Sequence, residues 1–191
     1  MYKRQILWCV RDDGIFAGLT YQRSENVVAW HQHKLGGTFG TGTSATGYGV
    51  VESVASISGE LTEDQLWVIV KRTINGATKR YVECFADFDI NEETSTDFRF
   101  LDSHLTYSGS STSNLSGLSH LEGQTVSILA DGSAHANKVV SSGAVTLDRS
   151  VTSAVVGLAY DSVLQTMRIE GGAAEGTAQG KTKRISKVVL R

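Results

Sequence analysis

Apolar residues along the chain fall in short alternating or continuous runs, and turn-forming residues separate most of them. Ile6, Leu7, Trp8, Cys9 and Val10 read as a strand closed by Asp13-Gly14; residues 15–21 follow as a second strand, and 27–35 as a third after a polar turn. Period two in that third run places Val27, Ala29, His31, His33 and Leu35 on one face and Val28 and Trp30 on the other. Residues 36–47, rich in Gly, Thr and Ser, read as a flexible surface loop. The strand pattern resumes over 50–58 and again over 65–73, where Trp67, Ile69 and Lys71 oppose Leu66, Val68 and Val70. Asn75-Gly76 then leads into 78–85, a strong hairpin signal because both turn residues tolerate positive φ.

Residues 1–86 therefore divide into two strand sets about 40 residues apart, the spacing of propeller blades. A closed propeller needs at least about four blades, so a meander of about two is expected to lean on further sequence or another chain. Residues 87–97 carry Asp87, Asp89, Glu92, Glu93 and Asp97 and read as an acidic linker. Strands are expected near 98–107, 112–118, 124–130, 133–140, 143–148, 153–160 and 163–169. Their turn signals are Ser108-Gly109, Asp131-Gly132, Ser142-Gly143 and Asp161-Ser162, at barrel or sandwich spacing. Within this region 117–132 has a strand with Val126 and Ile128 on one face, closed by Asp131-Gly132. The expected fold is all-β: a propeller-like antiparallel meander of about two blades (1–86), then a small β-barrel (98–170). Residues 171–191 would form a Gly-rich linker and a basic terminal strand.

Composition adds mostly exclusions. The 191 residues contain 20 Gly and no Pro, and the formal charge of −2 supplies no global field for nucleic acid or an anionic membrane. No apolar stretch approaches the roughly 18 residues of a membrane-spanning helix, and no signal-peptide pattern opens the chain. Cys9 and Cys84 lie inside apolar runs, where a buried thiol is the common reading; a bridge between them stays open.

The candidate motifs carry little chemistry. Gly40-Thr41-Gly42-Thr43-Ser44-Ala45 fits a dinucleotide fingerprint, but strand rather than helix follows, so pyrophosphate would lack a helix N-terminus. Gly180-Lys181-Thr182 ends like a phosphate loop, yet Glu175 stands where glycine is needed. Ser119, His120 and Glu122 lack a nucleophile elbow and read as polar residues leading into a structural strand. His31 and His33, two apart on one face, could chelate a metal with Asp12 or Asp13 as third ligand; solvated or interface histidines are the favoured alternative. Trp8, Trp30 and Trp67 read as core residues, with a sugar-stacking platform as the rival. Lys181, Lys183, Arg184, Lys187 and Arg191 form a basic tail, read as a solvated strand, with contact to an acidic partner surface or to a nucleic-acid backbone as the alternative. No catalytic, cofactor or metal residue is assigned.

Several stretches resemble tail nozzle proteins of short-tailed bacteriophages, also called tail tubular protein B. They are Leu7-Trp8-Cys9-Val10-Arg11-Asp12-Asp13-Gly14 with Gly18-Leu19-Thr20-Tyr21, Val28-Ala29-Trp30-His31 through Leu35-Gly36-Gly37, and Val51-Glu52-Ser53-Val54. Val70-Lys71-Arg72-Thr73-Ile74-Asn75-Gly76 with Lys79-Arg80-Tyr81-Val82-Glu83, and Gly176-Thr177-Ala178-Gln179-Gly180-Lys181 with Lys183-Arg184-Ile185, continue the likeness in the same order. The stretch from His120-Leu121-Glu122-Gly123-Gln124-Thr125-Val126 to Ala130-Asp131-Gly132 also resembles the small FCCH β-barrel domain first named in ubiquitin-activating enzymes.

The resemblance implies a non-enzymatic virion tail component, made in the bacterial host cytoplasm. It would form a homo-oligomeric, usually hexameric, ring below portal and adaptor, touch other tail proteins, and line the DNA exit channel, with passive DNA contact. The chain is several-fold shorter than such proteins and stops inside its basic terminal strand, as expected of a fragment, a truncated prophage product or a separately encoded segment. A carbohydrate-binding module or tail-associated adhesin, using the tryptophans and the Gly-rich loop, is the alternative.

Overall fold

The computed structural model describes residues 5–58, 64–86 and 99–166, with 182, 184 and 187–189. The chain divides into a compact unit, Met1–Asp161, and a second unit, Ser162–Arg191. All regular structure described lies in the first unit, and it is β apart from three single 3-10 turns. The acidic segment expected at 87–97 lies outside the described residues.

Three antiparallel sheets form the compact unit. The first joins β1 (Gln5–Val10), β2 (Phe16–Gln22) and β3 (Val27–His33) in that order, and the second joins β4 (Val50–Ile57), β5 (Gln65–Ile74) and β6 (Ala77–Cys84). Each is thus a three-stranded meander. The β5–β6 hairpin turns at Asn75-Gly76 as expected, with φ of 48° and 73° at the two residues. The third sheet comprises β7 (Asp102–Ser116), β8 (Thr125–Ala130), β9 (Ser133–Val139) and β10 (Ala144–Leu158), in the order β7-β10-β8-β9.

Two expected breaks in that third sheet are bends within single strands. Ser108-Gly109 does not turn the chain: β7 runs through it, and the Tyr107 side chain covers the glycine, so that a Cβ there would meet its hydroxyl oxygen at 3.1 Å. In β10, residues 146–151 oppose only Asn114–Thr112 of β7, so the surplus residues form a bulge and the strand bends instead of ending. The Asp131 carboxylate fixes that bend by accepting from Thr152 N, Ser153 N and Thr152 Oγ1 at 2.9–3.1 Å. These hydrogen bonds hold its carboxyl below the usual range.

None of the three sheets closes on itself. Beside β9, the first half of β10 meets it through Lys138–Asp148 (2.5 Å) and an Asp148 N–H bond to His135 Nε2 (3.2 Å), without a ladder. Residues 163–166, expected to begin a strand, have none, and the rest of that span lies outside the described residues. Lys187–Val189, in the expected terminal strand, are likewise not strand.

Two cores result. Phe16, Leu35, Val51, Leu66, Val68 and Val70 join the first two sheets, with Trp8, Val10, Val54 and Phe85 packed at the margin. Val126, Ile128 and Ala130, the inward positions of β8, join Leu115, Leu118, Leu121, Val145, Val151 and Val156 in the other. Val126 and Ala130 are fully buried, as the alternation of 124–130 implies.

Candidate interaction surface

Strand register fixes which side chains of the first sheet share a face. Leu7 opposes Leu19, which opposes Trp30; Tyr21 opposes Val28 in the next row of the same face. That face looks outward. Trp30 is 64%, Leu7 62% and Val28 62% exposed, with Tyr21 also exposed and Leu19 half-buried. The core reading of Trp30 is therefore corrected. Alternation assigned it a face, but among the described residues nothing covers that face of the sheet. Trp8, on the opposite face, does join the core, and Trp67 is half-buried.

The second sheet repeats the arrangement. Leu66, Val68, Val70 and Ile74 of β5 point inward, while Trp67 and Ile69 lie outward beside Val82, which is 69% exposed. Further along the same face, Glu52 binds Arg80 (2.6 Å) and Lys71 (2.9 Å), and these bonds lower its pKa to about 2, the Arg80 bond contributing most. Lys71 also lies 4.4 Å from the Phe39 ring centroid. Two sheets that share one core thus each keep a partly apolar outer face. Contiguous exposed apolar patches of this kind mark interaction sites.

Behind the patch of the first sheet stands an aromatic cluster. Trp8 stacks on Phe16 with centroids 4.7 Å apart, and Phe85 lies 5.6 Å from Phe16. Gly18, opposite both Trp8 and His31 in register, leaves room for their rings; a Cβ there would meet Trp8 Cζ3 at 2.8 Å. His31 Nδ1 and His33 Nε2 share a 2.7 Å hydrogen bond, and His31 Nε2 lies 3.2 Å from Thr20 Oγ1. Burial, then the neighbouring His31, lowers the pKa of His33. The acidic third ligand does not arrive: Asp13 accepts from Arg11 Nη2 (2.7 Å) and Ile15 N (3.1 Å) in its own turn, and Asp12 is exposed. Among the described residues, no three of His, Cys, Asp and Glu gather around a point.

The two strand systems are tied together by polar groups that the sequence pattern did not single out. Arg72, fully buried, donates from Nε to Gly36 O (2.7 Å) and from both terminal nitrogens to Glu83 (2.5 and 3.0 Å). Gly36 N donates to Asp102 Oδ2 at 2.7 Å, linking the 36–47 segment to the start of β7. Burial raises the pKa of Asp102, against the opposing pull of the Gly36 N–H and Arg72. Gly37, with φ of 98°, packs on Arg72, where a Cβ would meet Cδ at 2.9 Å. Gly40 N also donates to Thr73 Oγ1 (3.0 Å) and Thr73 N to Thr38 O (2.8 Å). The segment read as a flexible loop is thus pinned along β5. A 3-10 turn at Gly42–Ser44 and then β4 follow, with no helix to hold a nucleotide.

The 117–132 stretch lies at the same junction. Tyr81 Oη donates to His120 O (3.1 Å), and His120 Nε2 bonds Ser103 O (3.0 Å). Glu122 accepts from Ser142 N (2.9 Å) and Gly143 N (2.7 Å), bracing a turn whose φ values are 53° and 69°. Replacing Glu122 with Ala is expected to lower unfolding free energy by about 1–3 kcal/mol, since two backbone donors lose a charged acceptor. Urea titration followed by circular dichroism measures it. A change inside the fitting error would mean that solvent serves the turn equally well.

Cys84 is exposed, against the expectation of burial, and Cys9, half-buried, points its Sγ to Ala17 O (3.7 Å). A cavity of 150 Å³ opens between β7 and β10 beside Leu105, Tyr107, Leu115 and Val156. That is smaller than the roughly 300–1,000 Å³ typical of small-molecule sites. No described helix is long and apolar enough to cross a membrane.

The fold and this surface define an all-β protein with exposed apolar patches on two sheet faces, in which no three of His, Cys, Asp and Glu among the described residues could hold a metal ion together. No family model matches the chain, and no curated protein matches it.

Proposed function

We propose that the protein is a non-enzymatic structural component of a bacteriophage or prophage tail. In this proposal it is nozzle-like, part of the DNA exit conduit, and works by self-assembly and by contact with other tail proteins on the adaptor and portal side. The observation that carries the assembling role is the pair of outer sheet faces, one bearing Leu7, Tyr21, Val28 and Trp30 and the other Ile69 and Val82. Two meanders packed on one core, each with an apolar outer face, suit inner members of a radial stack of blades. The tail assignment itself rests on the sequence resemblance, strongest at 120–132. In the same proposal the third sheet is a barrel-like module, one ladder short of closure between β9 and β10. Its location would be the virion tail after synthesis in the host cytoplasm.

The test is co-sedimentation with purified portal and adaptor rings of a short-tailed phage, followed by negative-stain imaging. Stable density added below the adaptor is expected; a chain that ignores both rings and remains monomeric contradicts the proposal. Trp30 favours one second reading, a glycan-binding adhesin, because an exposed indole on a sheet can stack on a sugar ring. A glycan array discriminates: a conduit component is silent on it.

A further inference from the structure

We propose that His31 and His33 form an exchangeable transition-metal site, a two-imidazole chelate for Zn2+ or Cu2+ on the inner face of β3. The donor atoms already converge: His31 Nδ1 and His33 Nε2 are 2.7 Å apart, with the two rings 89° to one another. At the roughly 2.0–2.1 Å typical of metal–imidazole bonds one ion reaches both nitrogens at this spacing, once the two rings turn their lone pairs from one another toward it. The ion takes the place of the proton they share. For this, both facing nitrogens must be bare. In the proposed site His31 carries its proton on Nε2 and donates it to Thr20 Oγ1, 3.2 Å away, the kind of outer-shell bond that commonly sets the tautomer of a ligating histidine.

In the metal-free pair with that His31 tautomer, the shared proton sits on His33 Nε2. On binding, this proton moves to His33 Nδ1, so two nitrogen–metal bonds form and one hydrogen bond is lost, with no net proton release. Among the described residues no third His, Cys, Asp or Glu converges here, so water completes the coordination. Nitrogen donors suit Cu2+ and Zn2+, with Cu2+ the tighter by the usual order of divalent ions.

Trp8 provides a built-in reporter, its ring 5.5 Å from His31 and 5.4 Å from His33. The experiment titrates Cu2+ against the full chain carrying Trp30→Phe and Trp67→Phe, which leaves Trp8 as the only indole. Zn2+ is followed in parallel by calorimetry on the unmodified chain. One equivalent of Zn2+ and saturable quenching of Trp8 by Cu2+ are expected. His31→Gln or His33→Gln should abolish both, and Thr20→Val should weaken binding by about 10-fold, as outer-shell changes do. Circular dichroism of each variant verifies that the sheet is retained, and the Thr20→Val and wild-type measurements stand even where a histidine variant unfolds. Zinc stoichiometry below one tenth, or quenching unchanged in folded His31→Gln and His33→Gln, overturns the proposal.

Discussion

Replacing Arg72 with Met is expected to destabilise the protein by about 3–5 kcal/mol, the usual cost of removing one partner from a buried ion pair. Arg72 is fully enclosed, and its guanidinium answers both the Glu83 carboxylate and the Gly36 carbonyl. Methionine fills most of the volume but leaves the carboxylate facing an apolar core and the carbonyl without a donor. Total stabilities lie near 5–15 kcal/mol, so the loss is a large share of the whole. At about 2–4 °C per kcal/mol for a chain of this size, melting should fall by roughly 6–20 °C.

Glu83→Gln in the Arg72→Met background should recover part of the loss, because it removes the stranded charge. Thermal unfolding of the two single variants and the double variant measures the coupling. Additive losses, or a single-variant cost below about 1 kcal/mol, would show that water enters and solvates Glu83.

The second large effect is on association. Trp30→Ser and Leu7→Ser remove two of the most exposed outward side chains of the first sheet, both more than half exposed. Neither contributes to the buried cores, so the folded state is expected to persist, with melting unchanged or slightly raised. Tryptophans at interface centres commonly contribute 2 kcal/mol or more, so Trp30→Ser alone should weaken self-association by about 30-fold or more. Lys79→Ser, at an exposed position of β6, serves as the control and should leave association unchanged. Equal association by Trp30→Ser and wild type would move the contact away from the first sheet.

Much of the fold was legible because turn chemistry and side-chain period are local properties. Asn75-Gly76 and Asp131-Gly132 turn as their positive φ values require, and Val126, Ile128 and Ala130 point inward as alternation dictates. What alternation cannot tell is whether a face has a neighbour. Trp30 and Leu66 lie in equally apolar strands, yet only Leu66 finds a core, because it points to the side on which the two sheets pack and Trp30 points away from it. The turn expected at Ser108-Gly109, and the gap between the strands expected at 143–148 and 153–160, failed for another reason: a strand pairing on its neighbour can absorb small polar residues as a bend or bulge.

The Arg72 network left a fainter trace. Arg72 continues the inward series Leu66, Val68 and Val70, and Glu83 lies opposite Val68 in the ladder. Charges at core parity on two neighbouring strands point to a buried pair, whereas their ties to Gly36 and Asp102 are 36 residues and more distant in sequence and appear only in three dimensions. The His31–His33 pair was visible as a same-face spacing. Its direct hydrogen bond, and the engagement of Asp13 elsewhere, were not.

The most direct test of an assembling, non-enzymatic role is the mass of the wild-type chain in solution, measured by sedimentation equilibrium over a wide concentration range. A concentration-dependent rise above 20.5 kDa toward a defined oligomer, lost in Trp30→Ser, is the expected result. A single 20.5 kDa species at every concentration, unchanged by added portal and adaptor rings, would contradict it.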